Sequence, residues 1–284
     1  MTHPPRNPLV LLTGGTGTTG RRVDARLRAR GATTRVASRA GDPAFSWQDR
    51  STWSHLVEGA TAAYLCFSPD LAVPGAADTV AEFARCATAH GVPRLVLLSG
   101  RGEPGAQRGE QLVRAAAEDG GASWTVVRAA WFAQDFAESF LVDQVRSGVV
   151  RLPVDDVREP FVDVDDVADV VAAALLDPGH DREVYEVTGP RALTFGEALA
   201  HVAAAAGRPL RLETLTRAEH LRGLQEAGVG DDVSWLMDHL FTEVLDGRNT
   251  HLADGVVRAL GRPPRDFTAH LPAAAATGCW AAPA

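Results

Sequence analysis

The sequence predicts an α/β protein built on a doubly wound parallel sheet. Through the first half of the 284-residue chain, short apolar runs of β type alternate with helical segments. This alternation is typical of parallel strands joined by crossover helices. The runs at 9–12 and 95–98 are apolar at every position, as expected of strands that are buried on both faces. With 45% hydrophobic and 23% charged residues, the chain can also form a sizeable core.

Each predicted strand is a run of apolar or β-branched residues. We expect six strands, at 9–13, 35–38, 62–67, 95–99, 124–128 and 183–187. Helices are expected between the first five strands, because apolar or alanine positions there recur at helical spacing and a glycine follows closely. These helices lie at 17–30, 51–58, 75–90 and 105–118.

After about residue 131 the pattern changes to longer helices joined by turns rich in proline and glycine. A helix is predicted over 163–176, and the alanine-rich segments 198–206 and 273–276 are interpreted as helix or tail. The acidic start of the first of these helices suits the positive end of a helix dipole. We interpret its carboxylates as capping and solvated groups rather than ligands of a divalent ion; they are Asp163, Asp165 and Asp166.

The charged residues exclude several functions. All 28 basic residues are arginine, so no mechanism that needs a lysine is available: no Schiff base, no P-loop lysine and no Tyr-x-x-x-Lys proton relay. A net charge of −8 argues against a nucleic-acid surface, which needs a basic face. Nine scattered histidines show no metal-ligand spacing, so we expect no metal.

The cysteines and the termini bear on location. Cys66, Cys86 and Cys279 are far apart and odd in number, so neither a disulfide framework nor a zinc knuckle is indicated. Reduced thiols are typical of the cytosol. The start of the chain lacks the apolar run of a signal peptide, and no stretch approaches the ~20 apolar residues of a membrane span. A soluble cytoplasmic protein that does not bind membranes is expected.

The most specific local signal is the loop after the first strand. Gly14, Gly17 and Gly20 stand three residues apart, directly after a strand and at the start of a helix. In this position, glycines permit a tight turn and a close approach of the backbone to a pyrophosphate, which the free N–H groups of the helix bind. The hydroxyl residues Thr16, Thr18 and Thr19 add donors. The loop therefore predicts a dinucleotide site of the Rossmann type; an ordinary tight turn is the alternative.

The end of the second strand indicates which dinucleotide is bound. An acidic residue there would hold the ribose 2′-hydroxyl of NAD, whereas an arginine would pair with the 2′-phosphate of NADP. Ser38 and Arg39 occupy this place, about 20 residues after the glycine loop. We therefore expect NADP(H) in preference to NAD(H). Two alternatives stay open: Arg39 is a solvated surface residue, or Asp42 folds back and supports NAD.

With these residues in view, the chain resembles the NmrA-like, atypical branch of the short-chain dehydrogenase/reductase family. The resemblance covers nearly the whole chain, and its strength lies in the order and spacing of five segments. They are the glycine loop and residues 45–49, 97–102, 124–132 and 161–168. It implies an NAD(P)-binding Rossmann domain over residues 1–150. A smaller, mostly helical substrate lobe over residues 151–284 would pack on that domain and share some elements with it.

The resemblance also implies roles for individual residues. The strand ends that would border the ribose and the nicotinamide are Cys66, Phe67, Ser68, Ser99 and Gly100. Trp131 and Phe132 would lie beside the nicotinamide and the substrate. For these two residues, and for Phe67, packing in the core is the alternative. Arg101 and Gln134 are the remaining predicted substrate-binding residues, with Asp135 a weaker candidate.

The chain departs from the family where the proton donor is concerned. Conventional members use a tyrosine followed four residues later by lysine, but Tyr64 and Tyr185 are followed at that spacing by serine and glycine. Atypical members often carry lysine or histidine four residues before the position of Glu110, where this chain has Ala106. The substitute donors are Ser99, Arg101, Arg108, Glu110 or a water. Ser99 is the predicted catalytic residue, with cofactor binding or loop capping as the alternative; Glu110 is expected to face solvent.

Three functions are compatible with these features. The first is an NADPH-dependent reductase of a small or medium conjugated acceptor, such as a quinone, enone or imine, which needs a strong acid less than a simple ketone does. The second is a non-catalytic NADP-binding redox sensor. The third is a non-redox cyclase, isomerase or dehydratase. The expected partner is a small-molecule substrate, and a homodimer is left open.

Overall fold

The structure is a computed structural model, and it describes residues 7–41, 44–154 and 156–282. In chain order the strands are β1 (Leu9–Thr13), β2 (Thr33–Ala37), β3 (Ala62–Leu65), β4 (Arg94–Gly100), β5 (Ser123–Ala129), β6 (Val149–Leu152), β7 (Arg158–Glu159), β8 (Glu183–Val187), β9 (Leu193–Thr194) and β10 (Arg211–Thr214). The helices are α1 (Gly20–Ala29), α2 (Trp53–Val57), α3 (Ala76–Ala89), α4 (Pro104–Asp119), α5 (Asp135–Glu138), α6 (Val142–Ser147), α7 (Val164–Leu176), α8 (Phe195–Ala206), α9 (Arg217–Glu226), α10 (Asp231–His239), α11 (Gly255–Leu260) and α12 (Leu271–Ala276).

The chain forms two compact units that interleave in sequence. Unit 1 holds the described residues of Met1–Arg128, Asp165–Glu186 and Gly255–Arg262. Unit 2 holds those of Ala129–Val164, Val187–Asp254 and Pro263–Ala284. The units interleave because α7 and β8 return to the first unit late in the chain. A single domain boundary at residue 150 stays a prediction.

Unit 1 is built around a six-stranded sheet in the order β2-β1-β3-β4-β5-β8. β1 pairs in parallel with both β2 and β3, and β3 pairs in parallel with β4. The predicted α/β doubly wound class is confirmed. The apolar runs are buried on both faces: Leu11 and Leu12, adjacent on β1, are each 0% exposed. Burying each such side chain contributes roughly 1.5–3 kcal/mol.

The predicted elements of unit 1 differ from the observed ones mainly at their ends. β1 and β8 begin and end as predicted. β3 ends at Leu65, two residues early, so that residues 66–68 form a loop. α1 begins at Gly20 rather than 17, which leaves the glycine loop up to Thr19 outside the helix. The carboxyl ends of β1, β3 and β4 therefore all lead into loops.

The interpretation of the acidic start of α7 as capping and solvated groups is wrong for Asp163 and Asp166, which are buried, whereas Asp165 is partly exposed. Within unit 1, Asp166 is 0% exposed and lies 2.7 Å from the Arg262 guanidinium. Asp165 accepts a hydrogen bond of 2.7 Å from Arg26. Within unit 2, Asp163 is buried and accepts from the amide of Gln134 at 2.8 Å. Asp163 and Asp166 can be buried because hydrogen-bond donors and an arginine compensate their charge, since an unpaired buried carboxylate would be costly.

Unit 2 has an aromatic core, and its helices are accompanied by short strands. β6 pairs in parallel with β10, and β7 pairs antiparallel with β9. These strands have two to four residues, too few to show periodicity in the sequence. The rings that pack together in this core are Trp131, Phe136, Phe161, Phe195, Phe241 and Phe267.

Two further results concern only the described part of the chain. It contains no helix long and apolar enough to cross a membrane. Residues 7–41, 44–154 and 156–282 also include no group of three or more His, Cys, Asp or Glu side chains arranged to hold a metal ion.

Candidate functional site

The glycine loop makes a tight turn between β1 and α1. Gly14 has φ of +65°, the left-handed conformation that favours glycine. The N–H of Gly17 donates to the Gly14 carbonyl at 3.0 Å. A Cβ on Gly20 would lie 2.2 Å from that same carbonyl oxygen. Gly14 and Gly20 are therefore required by the turn itself.

Gly17 is less restricted by the protein than Gly20. A Cβ there would approach the Gly14 carbonyl oxygen at 3.3 Å, and no other described residue within 4 Å. Gly17 is exposed, and the helix behind it has no side-chain cap at Thr19. An open glycine beside an uncapped helix N-terminus fits a pyrophosphate, which fills such a space and accepts from the helix N–H groups. The residues present thus fit a dinucleotide.

The three predicted threonines of this loop do not share one environment. Thr16 is exposed and Thr18 is half-buried. Thr19 is buried, and its hydroxyl accepts a hydrogen bond of 3.1 Å from the Tyr64 hydroxyl. The Thr19 side chain therefore turns toward the core of unit 1, while the other two stay accessible from the solvent side.

The end of β2 presents one exposed arginine. Arg39 has no ion pair or side-chain hydrogen bond with another described residue, and Asp42 lies outside the described residues. Arg35, four residues earlier, is already engaged, because it donates to the carbonyls of Leu56 and Glu58 at 2.7 Å each. Ser38 is half-buried, and its carbonyl accepts from the loop that follows. Arg39 is thus accessible to an anion at this strand end.

The end of β3 is tied to the end of β1. The Cys66 N–H donates to the Thr13 hydroxyl at 2.8 Å, and burial raises the pKa of the Cys66 thiol, so it stays protonated. Phe67 packs against Trp47 with ring centroids 5.1 Å apart, which supports the core-packing alternative for its side chain. Ser68 is exposed.

The end of β4 carries a buried network of hydrogen bonds. The Ser99 hydroxyl donates to Glu110 Oε1 at 2.6 Å. Arg128 donates to both oxygens of Glu110, at 2.9 and 2.5 Å, and to Glu186 at 2.7 Å. Glu110 is 4% exposed, so the prediction that it faces solvent is wrong. The reason is that its face of α4 turns toward β4 and β5, where Arg128 neutralises the carboxylate.

Arg101, a predicted substrate-binding residue, is also buried. Its side chain is 3% exposed and lies 3.4 Å from the Glu186 carboxylate. Glu186 thereby stands between two arginines, Arg101 and Arg128. Although desolvation opposes the shift, these two partners lower the pKa of Glu186.

Sequence reasoning missed one buried acid near the same strand end. Glu103 is 4% exposed, and its Oε2 has no hydrogen-bond partner among the described residues. Desolvation raises the pKa of Glu103, and the charge of Asp70 and a hydrogen bond to it raise the pKa further. The sequence shows a glutamate before proline at a helix start, which resembles an ordinary cap, yet its side chain makes no capping bond. Its burial depends on the Asp70 loop, which is distant in sequence.

In unit 2, Trp131 and Gln134 are held from several sides. The Trp131 ring packs on Phe195 and Phe241 at centroid distances of 5.4 and 5.3 Å, while its indole N–H has no partner among the described residues. The Gln134 amide donates to Asp163 at 2.8 Å and accepts from the Val164 N–H at 2.9 Å. These two bonds fix the orientation of the Gln134 amide, which has a second N–H and a second oxygen lone pair for a further partner.

Phe132 and Asp135, which are neighbours of Trp131 and Gln134 in sequence, differ in what they contact. Phe132 is half-buried and forms a bridge with Val162. Desolvation raises the pKa of Asp135 to about 7, against hydrogen bonds from the Phe132 backbone and Ser139 that lower it. Asp135 can therefore exchange a proton near neutral pH.

Comparison with known proteins agrees with this geometry. No family model matches the chain. It is 30% identical to the oxidoreductase YesF of Bacillus subtilis, over 97% of this chain and 98% of that protein. It is 33% identical to the (4-alkanoyl-5-oxo-2,5-dihydrofuran-3-yl)methyl phosphate reductase of Streptomyces griseus, over 73% of this chain and 77% of that protein. The NAD(P)H azoreductase of Xenophilus azovorans is 30% identical over 56% of this chain and 55% of its own length.

Solved structures share the fold. The NADPH-dependent quinone oxidoreductase QOR2 of Escherichia coli superposes with a TM-score of 0.75 at 17% identity, over 92% of this chain and 98% of that chain. The Citrobacter triphenylmethane reductase with NADP(H) superposes with a TM-score of 0.73 at 15% identity, over 94% of this chain and 99% of that chain.

The sheet order and the glycine turn define a Rossmann protein that binds a nicotinamide dinucleotide. The chain belongs to the NmrA-like, atypical branch of the short-chain dehydrogenase/reductase family, and it is an NAD(P)H-dependent oxidoreductase of that type.

Proposed function

We propose that this protein is an NADPH-dependent reductase of a small or medium conjugated acceptor (a quinone, enone or imine) and that it works without a Tyr/Lys relay. The observation that carries the proposal is the state of its two tyrosines. Tyr64 is 0% exposed and donates to Thr19, and Tyr185 is 3% exposed with its hydroxyl 2.8 Å from His180. Burial raises the pKa of Tyr64, which makes it a still weaker acid. Without lysine and without an accessible tyrosine, an acceptor that delocalises charge is favoured.

Two relatives support this choice of acceptor. The Streptomyces reductase is named for a 5-oxo-2,5-dihydrofuran, whose ring double bond is conjugated in the unsaturated lactone, and the Xenophilus relative for an azo compound. The lactone is a conjugated acceptor, and the azo group, like an imine, carries a double bond to nitrogen. The expected substrate of this chain is of the same chemical kind.

The proposed cofactor site lies in unit 1. Gly14, Gly17 and Gly20, with the backbone around Thr16 and Thr18, would hold the pyrophosphate. Ser38 and Arg39 would bind the 2′-phosphate, which favours NADPH over NADH because arginine forks two hydrogen bonds to a phosphate. The bound nicotinamide supplies the hydride. The remaining residues proposed to border it are Cys66, Phe67, Ser68, Ser99 and Gly100.

Ser99, the proposed catalytic residue, and the proposed substrate-binding residues have different tasks. Ser99, held by Glu110, keeps its hydroxyl fixed at the end of β4. Arg101 contributes positive charge there, although it shares Glu186 with Arg128. In unit 2, Trp131 and Phe132 are proposed to contact the conjugated acceptor, with the unpartnered indole N–H as a donor. Gln134 orients a polar group in this proposal.

A fluorescence titration tests the cofactor proposal. NADPH, NADP⁺ and NADH are titrated into the wild type, Arg39→Ala and a control, Arg85→Ala, which removes an exposed arginine of α3. Losing a charge-assisted bond of about 1.5–3 kcal/mol weakens NADPH binding roughly 10- to 100-fold. NADH binding and the control variant should be unaffected. Equal weakening of NADPH and NADH by Arg39→Ala would contradict the assignment.

A panel of acceptors tests the reaction. NADPH oxidation is followed with 1,4-benzoquinone, 2-cyclohexenone and the simple ketone cyclohexanone, and the products are identified by mass. Addition of two hydrogens to the conjugated acceptors is expected. Reduction of the simple ketone alone would refute the proposed acceptor class. If the protein turns over no acceptor but binds NADPH and NADP⁺ with different affinities, the sensor function is favoured. If the product has an unchanged mass, or a mass changed only by water, the non-redox function is favoured.

A further inference from the structure

We propose that Glu103 is the carboxylic acid that delivers the proton accompanying hydride transfer, and that Asp70 returns a proton to it from solvent. This inference rests on the proposed reductase function. It assigns the proton donor, which neither tyrosine can supply because both are buried and hydrogen-bonded.

The first observation is the position of the Glu103 carboxyl. A Cβ on Gly100, the last residue of β4, would lie 2.4 Å from Glu103 Cδ and 2.4 Å from Oε2. The Glu103 carboxyl therefore occupies the space that a side chain at Gly100 would take. Gly100 is a residue proposed to border the nicotinamide, so this acid lies at the strand end where the reaction is expected.

The second observation is that the start of α4 meets the loop after β3. A Cβ on Gly105, the second residue of α4, would lie 2.6 Å from the Ala72 carbonyl oxygen, so the helix start that follows Glu103 touches this loop directly. This contact brings Glu103 beside Asp70, with which it shares a hydrogen bond. Asp70 is half-buried and also accepts from the Ala72 N–H at 2.7 Å. It is therefore the member of the pair that reaches solvent.

The third observation is how the charge of Glu103 is balanced. Glu103 forms no salt bridge with a described residue, and its Oε2 has no hydrogen-bond partner among them. Glu110, the other buried glutamate near this strand end, is paired with Arg128. Two adjacent carboxyls share one proton, since both cannot ionise at close range. Desolvation and the charge of Asp70 raise the pKa of Glu103, so the proton lies on Glu103 at neutral pH.

Proton transfer from Glu103 accompanies the reduction of the acceptor. The acceptor gains two bonds to hydrogen. It takes a hydride, with its electron pair, from NADPH, whose C–H bond breaks, and a proton from Glu103, whose O–H bond breaks. The products are the reduced acceptor, NADP⁺ and a Glu103 carboxylate. Water re-protonates that carboxylate through Asp70. General acid catalysis of this kind contributes typically about 10²- to 10⁴-fold to a rate.

The test compares Glu103→Gln, Glu103→Asp and a control, Glu58→Gln, which changes an exposed glutamate of the same unit. Three quantities are measured. The first is the protonated-carboxyl infrared band of the purified protein at about pH 8.5, which lies above the pKa of about 7 of Asp135 and below the pKa of about 10 of Glu103. The others are the Kd of NADPH by fluorescence and the pH dependence of kcat with 2-cyclohexenone at saturating NADPH. The infrared band and the Kd do not depend on turnover.

We expect Glu103→Gln to lose the infrared band, keep NADPH affinity and lower kcat about 100-fold. The wild-type kcat should fall on the alkaline side, as Glu103 loses its proton, and this fall should be absent in Glu103→Gln. Glu103→Asp, which keeps a carboxyl, should retain both the band and the alkaline fall. The control should match the wild type.

Several results would overturn the proposal. One is an unchanged kcat in Glu103→Gln; another is weaker NADPH binding with kcat retained at saturation, which would make Glu103 a cofactor ligand. If Glu103→Gln does not fold, absence of the band or of the alkaline fall in Glu103→Asp overturns it. A wild type that oxidises no NADPH with any acceptor removes the proposed function as well, whereas turnover that survives Glu103→Gln removes only this inference.

Discussion

The buried pair of Glu110 and Arg128 gives the sharpest prediction about stability. Glu110→Gln keeps the size of the side chain and removes its charge. Its amide oxygen can still accept from the Ser99 hydroxyl and from Arg128 Nε. The amide NH₂, however, replaces the oxygen that accepts from Arg128 Nη2 at 2.5 Å, so two donors face each other.

The cost follows from the burial of the pair. The Glu110 side chain is 5% exposed and that of Arg128 is 20% exposed, so water replaces the lost bond poorly. A hydrogen bond to a charged group contributes about 1.5–3 kcal/mol, and breaking a buried pair by removing one partner costs about 3–5 kcal/mol. Arg128 keeps its hydrogen bond to Glu186 in this variant, so its charge stays partly compensated. We therefore expect the free energy of unfolding to fall by about 2–4 kcal/mol.

The assay is urea denaturation followed by far-UV circular dichroism, at neutral pH and without cofactor. The matched control is Asp78→Asn, which breaks an exposed bidentate pair with Arg108 at 2.7 and 2.9 Å. The two pairs have similar geometry and differ in burial, since both control side chains are more than half exposed. We expect the control to leave the midpoint unchanged. A midpoint for Glu110→Gln equal to that of the control would refute the burial argument.

Two further predictions concern the glycine loop and Asp135. Gly17→Ala should fold with little loss of stability, because the new Cβ meets only the Gly14 carbonyl oxygen, at 3.3 Å, and a small shift relieves that contact. It should bind NADPH at least about tenfold more weakly. Gly20→Ala, whose Cβ would lie 2.2 Å from that oxygen, should lose stability in addition to NADPH affinity. Equal stability of the two variants in urea would contradict this difference. The pKa of Asp135 is raised from 3.8 to about 7, so its contribution to stability is present at acidic pH and is lost as pH rises toward about 7. Asp135→Asn should remove that decline in urea midpoints between acidic and neutral pH; an unchanged pH profile would show that the carboxyl is not desolvated.

The sheet and the glycine loop were predictable because their signals are local. A strand buried on both faces needs an unbroken apolar run, which is why β1 was located to the residue. The turn into α1 needs Gly14 and Gly20 for steric reasons that act within seven residues. Both features depend on neighbours along the chain.

The sequence by itself thus determined the α/β class, the parallel sheet, the dinucleotide loop and the absence of a lysine relay. Only the tertiary structure decided which acids are buried and which of them are paired. Glu110, on α4, was expected in solvent, but its partner Arg128 comes 18 residues later, on β5. Glu103 resembled a helix cap, and its partner Asp70 lies 33 residues earlier. The protonation state of a carboxyl depends on solvent exclusion and on charges brought near by the fold, and a local pattern records neither.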